Sequence, residues 1–226
     1  MIRMLALLIA TLMTTPALAQ VDGTYTPTIQ EITTQDNVTS YFVMGDGAFG
    51  DAFATMASLI QGSPAYNRQI ADDLWERRDR NAPVFLMEAA RRYADIDPDR
   101  ALYAYFLGRA RSLYDAMRCV DSTAMQAIPL IDEFAGNDIA RLMEDPVRLH
   151  AQLSAVYSSG EVFTSQVSPW WICSSSDSVF FAAANGQSIT RDEWLKQSSE
   201  WVSVQNGLNQ NLLNNIQVAA NAMVAR

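Results

Sequence analysis

The chain has 226 residues, 49% of them hydrophobic and 18% charged, with a formal net charge of −9. This is enough apolar material for one domain with a core, or two small ones. The acidity disfavours a nucleic-acid partner, which requires a basic patch.

The chain opens with "MIRMLALLIATLMTTPALAQ". Arg3 supplies a positive start, Met4 to Met13 an apolar run, and Pro16 with Ala17-Leu18-Ala19 a breaker and an A-x-A cleavage site. The run is too short to span a bilayer, which takes about 20 residues, and no later segment approaches that length. The pattern predicts a signal peptide over 1–19 and a periplasmic or secreted mature chain from Gln20. Loss of Arg3 deepens the charge by one, from −9 to −10. The many alanines, with Lys196 the only lysine among the cations, suggest a GC-rich bacterial genome.

Residues 20–45 are rich in Thr and poor in apolar side chains, which predicts an extended arm or a short edge strand. Gly45, Gly47 and Gly50 then stand at the spacing G-x-G-x-x-G. A dinucleotide turn needs a parallel βαβ unit around it, and the residues after 62 read as helix. The expectation is a glycine turn entering a helix, with no cofactor. A GDS-type hydrolase opening is also excluded, because its nucleophilic serine would fall on Gly47.

From here the punctuation is helical. Asp46 can cap, and Phe49, Phe53, Met56 and Ile60 share one face of a helix over 47–61. Ser63-Pro64, Asn81-Ala82-Pro83, Asp97-Pro98 and Asp145-Pro146 each open a further helix with a cap followed by Pro. They predict helices over 64–80, 83–95, 98–119 and 146–158. Two more are expected over 122–134 and 138–144. The stretch 98–119 is apolar on more than one side, which marks it as central. Arg109 sits on its Leu102–Phe106–Leu113 stripe, where it needs a carboxylate partner or meets an anion in a groove. Glu88 and Arg92 form an i, i+4 pair on 83–95, worth a few tenths of a kcal/mol on an exposed face.

Ala90, Tyr93, Ala101, Tyr105 and Gly108, within 82–119, resemble the small and aromatic positions of a single tetratricopeptide or Sel1-type helical hairpin. The resemblance implies a peptide- or protein-binding helical surface.

The segment 161–185 is open between strand and helix: "EVFTSQV" alternates, and "DSVFFAAAN" suits either. Trp170 and Trp171 adjoin Cys173, and read either as packing over a bridge or as an exposed partner surface. Cys119 and Cys173 are the only cysteines, and in an oxidising compartment they make one disulfide. Thr190 to Glu193 is a capping box opening a helix over 191–224, with a break expected at Asn206-Gly207. Its later half, over 208–224, is amphipathic without charges, and 191–224 is a candidate surface for self-association.

No G-x-S-x-G, S-x-x-K or H-E-x-x-H occurs, and the single histidine, His150, lies beside an apolar stripe. Two cysteines and one histidine make no metal-ligand spacing. The carboxylate pairs Asp72/Asp73 and Asp132/Glu133 suit acid–base work but read more simply as solvated helix faces beside arginines. The expectation is an all-α protein, a multi-helix bundle or helical-hairpin array over 46–226, with an extended N-terminal arm and one intramolecular disulfide. Its expected role is to bind another protein, as an adaptor, assembly factor or immunity-type inhibitor does, with no catalytic, cofactor or metal residues. The alternatives are an envelope hydrolase using Asp/Glu chemistry, or a self-associating structural subunit.

Overall fold

The computed structural model describes residues 24–33 and 39–224. The signal peptide expected over 1–19 lies outside them. Among the described residues are eleven α-helices and one two-stranded sheet, so the protein is all-α in architecture.

The arm is not simply extended. β1 (Thr28–Thr33) and β2 (Thr39–Met44) pair antiparallel, with Ile29 opposite Val43 and Glu31 opposite Tyr41. Just before them, Tyr25 exchanges both backbone hydrogen bonds with Ile189, at 2.9 and 2.8 Å. The sparse apolar residues of this segment explain the difference. Tyr25 and Val43 are buried in the main core, so two anchors suffice to tie down a polar stretch.

Around the hairpin, the helices α1 (Phe49–Ile60), α2 (Asn67–Glu76), α3 (Phe85–Tyr93) and α4 (Pro98–Met117) follow the expected order, trimmed at their ends. α4 is the axis of the fold. Asp97 caps it by accepting from the Arg100 amide, and Pro98 occupies its first turn. Its buried residues lie on nearly every side, from Leu102 and Ala104 through Leu107 to Tyr114. It touches α3, α5 (Ala127–Glu133), α6 (Gly136–Leu142), α7 (Pro146–Ser159), α8 (Trp170–Cys173) and α11 (Trp201–Val224). Gly108 lets α3 approach: a Cβ there would lie 2.8 Å from the Leu86 Cβ and 3.1 Å from the Pro83 carbonyl. The expected 64–80 and 122–134 each begin as a 3-10 turn, over 64–66 and 122–126, before turning α-helical.

The ambiguous 161–185 is helical where it is regular. A 3-10 turn covers 161–163, α8 carries the tryptophan pair, and α9 (Asp177–Ala184) follows. The alternation of "EVFTSQV" finds no strand partner. The Thr164 hydroxyl and Glu161 carbonyl instead receive a buried arginine, Arg111.

The C-terminal helix breaks earlier than expected. α10 (Arg191–Trp194) stops at Leu195, which is extended and pairs with Cys119. The Lys196 amide donates to the Arg118 carbonyl at 2.9 Å, and the Lys196 Nζ to the Met117 carbonyl at 2.8 Å. The only lysine therefore sits on the orphan carbonyls that end α4. α11 then runs unbroken through Gly207.

The bridge is formed: Cys119 and Cys173 are disulfide-bonded, their Cα atoms 5.4 Å apart. It joins the end of α4 to α8. Among the described residues no helix is long and apolar enough to cross a membrane.

Candidate functional site

A groove of about 330 Å³ lies between α4, α5, α7 and α11. α4 presents Tyr105, Phe106, Arg109 and Leu113, spaced so that one helical face carries the apolar floor and the polar end together. Leu149 and Leu153, one turn apart on α7, continue the floor. α11 closes it with Leu212 and Ala219, and adds Asn211, Asn215 and Val218 along the rim.

The polar end is a three-residue cluster. The Arg109 Nε lies 3.1 and 3.2 Å from the two Asp132 carboxylate oxygens. The Tyr105 hydroxyl donates to Asp132 Oδ1 at 3.1 Å. Burial, then the Asp132 charge, pushes the Tyr105 hydroxyl up to about 12, so it stays a neutral donor. The cluster carries no net charge. It offers arginine donors, carboxylate acceptors and the amides of Asn211 and Asn215 above an apolar floor. Such a recess suits an apolar group flanked by neutral polar ones.

The sequence placed Arg109 on the apolar stripe and asked for a carboxylate, and Asp132 stood separately as half of an acid–base pair. The fold brings the two together across 23 residues. Nothing local to either residue signals that meeting. Asp72 belongs to a different cluster. It accepts from the Tyr93 hydroxyl at 2.5 Å and lies 3.5 Å from Arg100, while Asp73 pairs with Arg77 on the surface. His150 is half-buried on α7 and does not line the groove. Among the described residues no group of three His, Cys, Asp or Glu could hold a metal ion.

Trp170 and Trp171 are core residues, 1% and 2% exposed, so this pair offers no surface to a partner. Trp170 stacks on Tyr25 with ring centroids 4.0 Å apart and meets Trp194 edge-on. Trp171 donates its indole N–H to Asp115 Oδ2 at 2.8 Å. Asp115 is itself enclosed. Burial pushes its carboxyl up, and Arg118, bonded to it, pulls the other way. Arg118 in turn lies over the Tyr114 and Trp201 rings. The pair is buried because the disulfide fixes α8 against the end of α4, leaving the indoles only the core to enter.

The glycine turn is occupied from within. Gly45, Gly47 and the intervening Asp46 all adopt positive φ, and this curls the backbone amides of 45, 47 and 48 inward. All three donate to Asp51 Oδ2 at 3.0 to 3.1 Å. A cradle of amides that could hold an anion is filled by the chain's own carboxylate, and Asp51 performs the capping expected of Asp46. The next amide, Phe49, is capped from 125 residues away by Ser174 Oγ at 2.7 Å. Gly50 completes the turn by close approach, since a Cβ there would lie 2.7 Å from the Val43 carbonyl.

Comparison with protein-family models, with curated proteins and with solved structures finds no match.

Proposed function

We propose that this is an exported protein of the bacterial periplasm that works by holding an apolar stretch of another protein in the groove between α4, α5, α7 and α11. The groove itself carries the proposal: an apolar floor ending in a self-neutralised Arg109–Asp132–Tyr105 cluster, in a protein whose surface is otherwise acidic. Apolar side chains fill the floor, and backbone amides and carbonyls of the held segment meet the cluster and the two asparagines. The resemblance of 82–119 to a tetratricopeptide hairpin, a binding element, points the same way. Binding is favoured over catalysis because Asp132 and Asp72 each already serve an arginine and a tyrosine. Export is supported by the N-terminal pattern and by the disulfide.

A photo-reactive residue placed at Leu149, in the groove, should form an adduct with a defined protein in exporting cells. The same probe at exposed Phe181, outside the groove, should not. The adduct should be lost in Arg109→Glu. No adduct from position 149, or the same adducts from both positions, would overturn the proposal. The exported chain should begin at Gln20, and an intact Met1 on the recovered protein would sink the periplasmic assignment.

A further inference from the structure

α11 runs for 24 residues without one Asp, Glu, Lys or Arg, on the surface of a protein of net charge −9. The other described helices of eight or more residues each carry charge, down to a single Asp51 on α1 and a single Asp177 on α9. The core face of α11 is Val204, Leu208, Leu212 and Ala219. One flank supplies Asn211, Asn215 and Val218 to the groove.

The other flank carries the stripe Val202, Asn206, Asn209, Leu213, Gln217, Ala220, Val224, whose steps of three and four keep it in line. Val202, Leu213 and Val224 are 64%, 40% and 88% exposed. The stripe is symmetric in spacing about Leu213, with valine at both ends. Val202 and Val224 stand eleven residues on either side, Asn206 mirrors Ala220, and Asn209 mirrors Gln217.

We infer that this flank is the contact between two copies of the chain, with their α11 helices antiparallel about a two-fold axis at Leu213. In that register Leu213 meets its own counterpart at the axis, and Val202 meets Val224 at each end. Between them Asn209 meets Gln217, two amides that each donate and accept, and Asn206 meets Ala220. An eleven-residue spacing, at about 3.67 residues per turn, gives such a seam a right-handed wind. The antiparallel sense opposes the two helix dipoles. Two copies of a strongly acidic protein repel wherever charged surfaces meet, and this flank brings none together. The contact leaves the groove open and stands independently of the binding role proposed for it.

Sedimentation equilibrium of the whole chain should show the mass rising from monomer to twice that value with concentration. Leu213→Arg, which places two cations at the axis, should remain monomeric throughout. Both native cysteines are in the bridge, so introduced thiols report cleanly. Leu213→Cys alone, and Val202→Cys combined with Val224→Cys, should each give a covalent dimer on mild oxidation. Val202→Cys alone should not, because it faces valine. A wild type that stays monomeric at every concentration overturns the inference. So does a Leu213→Arg variant that dimerises like wild type, or a Val202→Cys variant that cross-links as readily as the double variant.

Discussion

Glu88 is fully enclosed and accepts from both Arg91, at 2.7 and 2.8 Å, and Arg92, at 2.5 Å. The i, i+4 spacing predicts a weak exposed pair; burial makes it a strong constraint. Arg92 also donates to Asn67 and to the Leu59 carbonyl, tying α1 and α2 to α3. Removing one partner leaves a buried charge unmatched, so Glu88→Ala should cost about 3–5 kcal/mol in urea unfolding. Asp73→Ala, at an exposed pair with Arg77, should change stability by less than about 1 kcal/mol. Asp121 provides the pH dependence. Burial raises its carboxyl, but the hydrogen bonds from Thr123 and Ser178 together outweigh this and bring it down to about 2, from 3.8 for an unperturbed group. Its stabilisation is therefore present above pH 3.8 and lost as pH falls through about 2. The gap in urea midpoint between wild type and Asp121→Asn should be full at neutral pH and close over that interval. Asp115 acts oppositely. Its raised carboxyl takes up a proton sooner in the folded state, so its contribution weakens as pH rises above 3.8.

At the scale of elements, two helical glycines separate packing from propensity. Gly207 lies inside α11, where an added Cβ would meet only the Met117 Cε, at an ordinary 3.5 Å. Gly207→Ala should therefore raise stability by roughly 0.5–1 kcal/mol, the propensity gain alone. Gly108 lies where α4 crosses α3, and its added Cβ would press on the Leu86 Cβ and the Pro83 carbonyl. Gly108→Ala should lower stability by about 1–3 kcal/mol, because backbone must move to admit it. Thermal unfolding of the two variants should shift in opposite directions. Equal shifts would mean that the α3–α4 approach is not set by that glycine. The break before α11 has a related cause: Leu195 leaves the helix to pair with Cys119, and the ladder so formed closes the end of α4.

Across the whole molecule, the Cys119–Cys173 bridge closes a loop of 54 residues that contains α5, α6 and α7. The chain-entropy model assigns such a crosslink about 4 kcal/mol. Cys119→Ser should lower stability by up to that amount, and the double variant should be no less stable than either single one. Thiol titration of the unfolded, non-reduced protein should find no free thiol; two would contradict the bridge. Because three of the four groove walls, α4, α5 and α7, are joined or enclosed by this loop, Cys119→Ser should also weaken whatever the groove holds.

Cap and proline signals such as Asp97-Pro98 and Asp145-Pro146 were sufficient for the helices they open, since each satisfies orphan amides within a few residues of itself. Two cysteines in a chain with an export pattern likewise sufficed for the bridge. The meeting of Arg109 with Asp132, the burial of Trp170 and Trp171, and the enclosure of Glu88 were decided by tertiary structure alone. A lone arginine on an apolar stripe states that it needs a carboxylate, but any of 25 acidic residues could answer. The answer depends on how α5 docks on α4. Beside Cys173 the tryptophans read as core packed over the bridge ahead of an exposed surface, and the side of α8 that faces α4 decides for the core. Local sequence sets backbone hydrogen bonding, where the partners are neighbours in the chain. The pairing of buried charges and rings belongs to packing, where the partners are chosen by the whole fold at once.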